Sequence, residues 1–308
     1  MNVVLNEALT RRELRVPDGK ISYLEWGADE AGKAPLHFAH ANGFNGQTYR
    51  RILEELSDRF HIRAWDARGH GATRLPADPA THRNWYVYRD DLIRMVEDFA
   101  EATGQKVILA GHSMGGAASV MAAAARPDLV RGLVLVDPVM TPWSFRYLLM
   151  AFRLLGMKGG PMSLADGAEK RRAVFPDGET IVNRYLGRGA FTTWPRGFLE
   201  DYVAGGTRLR DDGQVELSCA PAWEAANFRA HGHNISKAVR NLNVPLALLH
   251  AEHGSTCRGS FPQKLKRRDP GAHIMQVKGS THFLPMEFPE LVIQEVRDFA
   301  ARLEAEGR

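Results

Sequence analysis

Lys106-Val107-Ile108-Leu109-Ala110-Gly111-His112-Ser113-Met114-Gly115-Gly116-Ala117-Ala118-Ser119 decides how the rest of the chain is read. Val107 to Ala110 is a short apolar run of the kind that forms a strand covered on both faces. Gly116 to Ser119 opens a helix made of small residues. Between them Gly111 and Gly115 flank Ser113 at two residues on either side, the G-x-S-x-G pattern. Glycine at both places lets strand and helix meet through a turn that a side chain would block, which lifts the serine hydroxyl to the C-terminal edge of a sheet. The competing reading is an ordinary glycine-rich turn; the strand before and the helix after favour the serine elbow.

Working outward, short strand-like runs occur at Leu36–Ala39, His61–Trp65, Gly132–Val136, Pro245–His250 and His273–Val277. Helical stretches precede several of them: Gln47–Ser57, Asp91–Thr103 and Ala117–Arg126. In the second, Leu92, Val96 and Phe99 recur at helical spacing and Thr103-Gly104 closes the run. Strands alternating with helices predict a mostly parallel, doubly wound α/β sheet. Ahead of it, Arg12–Val16 and Ile21–Trp26 alternate apolar and polar residues around Pro17-Asp18-Gly19, the pattern of a hairpin. The rhythm stops between Thr141 and Asn241 and resumes afterwards, ending in a helix over Glu287–Glu304. The expected organisation is a core of residues 1–140 and 242–308 around a mostly helical lid, residues 141–241.

Composition narrows the class. With 308 residues, 44% hydrophobic and 25% charged, the chain has the make-up of a soluble globular protein that can bury a large core. The net charge of +4 is spread along the chain apart from runs such as Lys264–Arg268, too diffuse for a nucleic-acid surface. Two cysteines, Cys219 and Cys257, with no C-x-x-C pair, argue against a disulfide framework or zinc ribbon and for a reducing, cytoplasmic location. No export signal is visible in the first twenty residues. Val107–Ala125 carries no charged residue, but its glycines, serines and histidine fit a strand, turn and helix better than a membrane span.

Several segments together resemble the α/β-hydrolase family, over nearly the whole chain outside the lid. Besides the elbow, His40-Ala41-Asn42-Gly43-Phe44 follows a strand where the family carries its His-Gly oxyanion loop. Asp66-Ala67-Arg68-Gly69-His70-Gly71 follows the next strand, like the family's D-x-R-G-x-G turn, and Gly279-Ser280-Thr281-His282-Phe283 follows the last strand. The resemblance implies Ser113 as nucleophile and His282 as its base.

A serine hydroxyl is a poor nucleophile at neutral pH, so it needs an imidazole to take its proton and a carboxylate to hold that imidazole's tautomer. Among twelve histidines His282 has the right place, last in chain order; a solvent-facing loop histidine is the alternative. The acid has two candidates. Most family members carry it in a G-x-x-D loop after the next-to-last strand, but here that loop reads Ala251-Glu252-His253-Gly254-Ser255-Thr256. Asp137, directly after Leu133–Val136, is the first choice, where the related haloalkane dehalogenases can place their acid, and Glu252 is the second. An aspartate before Pro138 also makes a good turn or cap.

The resemblance also supplies two oxyanion donors, the backbone N–H groups of Met114 and Asn42, although Ala41 stands where the family has glycine. The Asn42 side chain adds a third donor if it points inward; otherwise it makes a local turn with Gly43. His112, His40 and His70 are expected to pack and brace rather than react. His231-Gly232-His233 and His250-x-x-His253 lack the further ligands of a metal site, and no phosphate-loop, H-E-x-x-H or dinucleotide motif implies a cofactor.

Trp143, Phe145, Tyr147, Leu148, Leu149, Met150, Phe152, Met157 and Met162 suit an apolar pocket over the serine, or simply the packing of the lid. The expected function is a serine hydrolase acting on a small apolar carboxylic ester through an acyl-enzyme, of the esterase or lipase kind. Amide, lactone or carbon–carbon bond hydrolysis are alternatives on the same site, and a catalytically silent binding protein is the alternative outside enzymology. Haloalkane dehalogenase and epoxide hydrolase chemistry are disfavoured because both use an aspartate where Ser113 stands.

Overall fold

The computed structural model describes residues 10–28, 30, 32–142, 147, 151, 154–155 and 163–307. Eight strands form one sheet. In chain order these are β1 (Thr10–Val16), β2 (Gly19–Trp26), β3 (Ala34–Ala39), β4 (Phe60–Trp65), β5 (Val107–His112) and β6 (Val130–Val136), all ahead of the segment 141–241. Three short strands inside that segment, β7 (Val174–Phe175), β8 (Thr207–Leu209) and β9 (Val215–Leu217), form a separate antiparallel sheet. The main sheet is completed by β10 (Leu246–Ala251) and β11 (His273–Val277), in the order β1-β2-β4-β3-β5-β6-β10-β11. The pairs β1–β2 and β2–β4 are antiparallel and all the others are parallel, so the predicted mostly parallel sheet is present.

The central strands are apolar throughout because both faces are covered. Along β5, Ile108 and Ala110 enter one core with Leu36, Phe38, Val134, Val136, Ala247 and Leu249. Val107 and Leu109 enter the other with Ala39, Leu133, Leu135, Leu246 and Leu248, which is the two-residue alternation of a strand read on both sides at once. Helix α1 (Arg50–Leu56) and the terminal helix cover the first face; α2 (Tyr86–Thr103) and α3 (Met114–Ala125) cover the second.

Helix limits differ from the pattern-based ones for local reasons. The first stretch begins as a single 3-10 turn, Gly46–Tyr49, closed by a capping box at Asn45. Helix α2 starts five residues earlier than expected, at Tyr86, whose N–H donates to Asn84 Oδ1 at 3.0 Å. Helix α3 starts at Met114, immediately after the serine, although Gly115 and Gly116 are poor helix formers.

Within 141–241 the described helices are α4 (Ser163–Glu169), α5 (Gly178–Tyr185), α6 (Arg196–Gly206), α7 (Pro221–Arg229) and α8 (Ile235–Asn241). The small sheet among them escaped the sequence reading because strands of two or three residues are too short to show a period. Most of the apolar stretch from Trp143 to Met162 lies outside the described residues; of those described, Tyr147, Leu154 and Leu155 are exposed.

After the segment come α9 (Phe261–Arg268), α10 (Leu284–Glu287) and α11 (Pro289–Ala305); Pro289 forces the chain out of helix at Phe288 and separates the last two. The charge-free run Val107–Ala125 resolves into β5, the turn and α3, and no described helix is long and apolar enough to cross a membrane. Cys219 and Cys257 are free and buried.

His37, His70 and His233 are enclosed in the fold, and burial pushes each from the ordinary 6.5 down to about 3. Between those two values the unfolded chain binds protons that the folded chain refuses. Their contribution to stability is therefore complete above about pH 6.5 and falls as the pH drops toward 3, each by at most about 1.4 kcal/mol per pH unit. Urea unfolding between pH 7 and pH 4 is expected to show this decline; constant stability over that range would mean that the three rings protonate freely in the folded state.

Candidate active site

Ser113 occupies a backbone conformation, φ 57° and ψ −117°, that L-residues rarely adopt. The surroundings hold it there. Its N–H donates to Val136 O at 3.2 Å and its carbonyl accepts from Val139 N at 3.0 Å, which ties the turn to the neighbouring strand end. The flanking glycines are required by contact: a Cβ on Gly115 would lie 2.1 Å from Ala39 O, and one on Gly111 would lie 2.7 Å from the Gly115 carbonyl carbon. The hydroxyl is thus raised at the C-terminal end of β5, as the glycine spacing implied.

His282 lies in the loop after β11 with Nε2 at 3.0 Å from Ser113 Oγ and Nδ1 at 2.6 Å from Asp137 Oδ2. An ionised carboxylate can only accept, so Nδ1 carries the ring proton and Nε2 offers its lone pair to the serine hydroxyl. Glu287 accepts from Thr281 N at 2.7 Å and from the Thr281 hydroxyl at 2.5 Å, fixing the residue before His282.

Asp137 directly follows β6 and is fully buried. Burial alone would raise its pKa, but the hydrogen bond and charge of His282 and the donors around it hold the carboxyl below the ordinary carboxylate range. Those donors are Ala251 N at 3.0 Å, Ser255 Oγ at 2.5 Å and Thr256 N at 2.9 Å. The loop after β10, where the family pattern puts its acid, here supplies donors to an acid one strand away. Glu252 turns elsewhere: its Oε2 accepts from Gly279 N at 2.7 Å and lies 3.5 Å from His253 Nε2.

The loop after β3 carries Asn42. Alanine fits at position 41, because among the described residues Ser113 and Asp137 are the non-glycine residues with positive φ and Ala41 is not. The Asn42 side chain neither turns inward as a third donor nor closes a local turn. Its Oδ1 accepts from Asn227 Nδ2 at 2.9 Å and its Nδ2 donates to Glu224 O at 3.1 Å, so both ends are held by α7. The backbone N–H groups of Asn42 and Met114 donate to no protein acceptor among the described residues.

Three buried histidines fix this loop. His40 Nε2 accepts from Ala67 N at 2.9 Å and His70 Nε2 accepts from Gly43 N at 3.0 Å. Each ring donates from Nδ1 to a backbone carbonyl, His40 to Ala41 at 2.7 Å and His70 to Arg68 at 3.0 Å. His112 is polarised the other way. Its Nε2 lies 2.8 Å from the carbonyl oxygen of His282, which can only accept, so that nitrogen bears the proton. Nδ1 then accepts the Tyr49 hydroxyl proton at 2.7 Å, and the same hydroxyl accepts from Ala41 N at 3.2 Å. One directed chain therefore joins the Asn42 loop, the serine turn and the His282 loop.

Phe44 stands at the centre of an aromatic group beside the His112 ring, 5.2 Å from Trp194, 5.6 Å from Tyr202 and 6.3 Å from Phe283, centroid to centroid. Trp194 and Tyr202 come from the segment 141–241 but lie well beyond the Trp143–Met162 stretch that the sequence reading favoured. Their place depends on how α6 folds back over the loop, which no local pattern reveals. His231 bonds the Phe228 carbonyl and His233 stacks on Trp85.

The sequence matches the family described as "Alpha/beta hydrolase family" over residues 38–295. The chain belongs to this family. Among similar curated proteins are the 2-(acetamidomethylene)succinate hydrolase of Mesorhizobium japonicum, 28% identical over 92% of this chain and 94% of that protein, and an esterase of Mycobacterium tuberculosis, 32% identical over 92% and 87%. The crystal structure of E-2-(acetamidomethylene)succinate hydrolase superposes with a TM-score of 0.74 at 23% identity, covering 95% of this chain and 99% of the other. The chain is thus a hydrolase by family, of a kind that acts on small molecules.

In this α/β hydrolase Tyr49→Phe deletes both the acceptor of Ala41 N–H and the donor to His112, leaving two buried polar groups unpaired. Denaturant unfolding is expected to show a loss of about 2–4 kcal/mol, well above that of removing an exposed hydroxyl. A loss under about 0.5 kcal/mol would mean that the chain of bonds contributes little to holding the three loops.

Proposed function

We propose that this α/β hydrolase cleaves carboxylic esters of apolar acids through an acyl-enzyme, with Ser113 as nucleophile, His282 as general base and acid, and Asp137 as the orienting carboxylate. The observation that carries the reading is the continuous series Ser113 Oγ, His282 Nε2, His282 Nδ1, Asp137 Oδ2, with separations of 3.0 and 2.6 Å. Ser113 attacks the ester carbonyl as His282 Nε2 takes its proton, and Asp137 stabilises the resulting imidazolium. Negative charge develops on the carbonyl oxygen, where the N–H groups of Asn42 and Met114 serve as the oxyanion donors. Collapse expels the alcohol, protonated by His282. Water, activated by the same imidazole, then releases the acid and restores Ser113.

Residues 141–241 act in this reading as a cap over the serine. The aromatic group of Phe44, Trp194, Tyr202 and Phe283 supports an apolar acyl or alcohol part. A second reading, amide hydrolysis by the same steps, is favoured by the likeness to a relative whose name carries an acetamido group. Comparing p-nitrophenyl esters with the matching p-nitroanilides separates the two.

Ser113→Ala is expected to abolish turnover of short- and medium-chain p-nitrophenyl esters and labelling by a fluorophosphonate; activity retained in that variant removes the proposal. Asp137→Asn is expected to lower kcat by about 10³-fold or more, because it leaves His282 in the wrong tautomer. Glu252→Gln is expected to change kcat by less than about threefold. The reverse ranking would transfer the acid's role to Glu252.

A further inference from the structure

An ionic cluster within the segment 141–241, with Glu224 and Tyr202 buried and Arg171 partly so, takes no part in the chemistry proposed above. Arg171, between α4 and β7, donates from Nη1 to Glu224 Oε2 at 2.5 Å and from Nη2 to the Tyr202 hydroxyl at 2.9 Å. A second contact from Nη2 reaches the Tyr185 hydroxyl at 3.4 Å, and the guanidinium carbon lies 5.5 Å from that ring's centre. Glu224 is 8% exposed. Tyr185, Tyr202 and Glu224 come from α5, α6 and α7, so the cluster gathers three helices around one cation. Cohesion alone is a weak reason for it, since apolar side chains of similar volume commonly hold buried helices as well as an ion pair does, or better.

Its position supplies a stronger reason. The Glu224 carboxyl lies against the bare Cα of Gly43, where an added Cβ would be 2.7 Å from Oε1 and 2.9 Å from the carboxyl carbon. Gly43 directly follows Asn42, and Asn42 Nδ2 donates to the Glu224 carbonyl. Tyr202, which bonds Arg171, also packs its ring on Phe44. The pair therefore abuts the oxyanion loop and the aromatic group, on the side that the segment 141–241 covers.

An arginine guanidinium is a natural partner for a carboxylate, and here the protein supplies its own: Glu224 takes Nη1 while the Tyr202 hydroxyl takes Nη2. Resting on the esterase reading, we infer that Arg171 and Glu224 form a charge-compensated specificity element: Glu224 fills the place of a substrate carboxylate, so the site accepts uncharged acyl groups and rejects those ending in a carboxylate. Were Glu224 absent, the uncompensated cation would select the anionic acyl group instead. Both effects follow from the cost of enclosing an unpaired charge, which falls on the anionic substrate in one case and on Arg171 in the other.

The test compares mono-(4-nitrophenyl) glutarate with its neutral methyl ester, two substrates of nearly equal shape, after subtraction of the uncatalysed rates. The native protein is expected to favour the neutral diester in kcat/KM, and Glu224→Ala to move the ratio toward the anion by about tenfold or more. Glu224→Gln, which keeps the packing against Gly43, should move it the same way. Arg171→Met combined with Glu224→Met, which removes both charges and retains bulk, should restore the neutral preference. A ratio that stays within about twofold of the native value in both single variants overturns the inference, as does a native preference for the anion.

Absence of Ser113-dependent turnover in the native protein would instead count against the esterase reading. A binding arm decides the present inference in that event. On a Ser113→Ala background, monomethyl glutarate is expected to raise the melting temperature of the Glu224→Ala variant but not that of the protein retaining Glu224, and equal shifts in the two overturn it.

Discussion

The contact between the backbone at Gly115 and the carbonyl of Ala39 sets the distance on which the rest of the site depends. With 2.1 Å available to a hypothetical Cβ, no residue but glycine lets α3 come this close to the end of β3. The approach has two results. It holds Ser113 in a conformation that an isolated peptide would avoid, and it seats the start of α3 against the backbone of Ala39 and His40, at the root of the loop that carries Asn42. Strain in the serine turn is offset by the packing of strands and helix around it, which is how a sheet of apolar strands can maintain an otherwise unfavourable backbone geometry.

The carboxylate has a similar dependence on its neighbours. Asp137 also has positive φ, and it is buried to a degree that would neutralise an isolated acid. Its charge persists because β6 lies beside β10 in the sheet, and the last residue of β10 and the loop leaving it turn donors toward it. Asp137 thus stands one strand away from the loop in which the commoner pattern carries an acid, and that loop meets it with donors.

Much of this was legible in the chain. Apolar runs at regular intervals disclosed the parallel sheet, and the positions of Ser113, Asp137 and His282 after three of its strands imply that they lie at one edge. The sequence put Asp137 ahead of Glu252, but the directions of the two side chains were not legible: Glu252 faces Gly279, and only the folded loop shows that. The Asn42 side chain posed the same difficulty, its partners Asn227 and Glu224 being remote in sequence. Trp194 and Tyr202 carry no local signal of their nearness to Phe44. Periodicity reports which face of an element is buried, but it does not report what lies across from that face.

The chain leaves Asp137 through Met140 before entering the segment 141–241, and that exit is fastened. Met140 N donates to Thr256 O at 3.0 Å, and Met140 O accepts from Arg258 N at 3.2 Å. These two bonds are made to the same loop that binds the carboxylate, so a pull from the segment is borne by the loop backbone before it reaches the acid. The arrangement works as strain relief on a cable: the segment 141–241 can change in length or posture while Asp137 and its donors stay in register. Variation in the segment and constancy around the carboxylate are thereby mechanically separate properties of one chain.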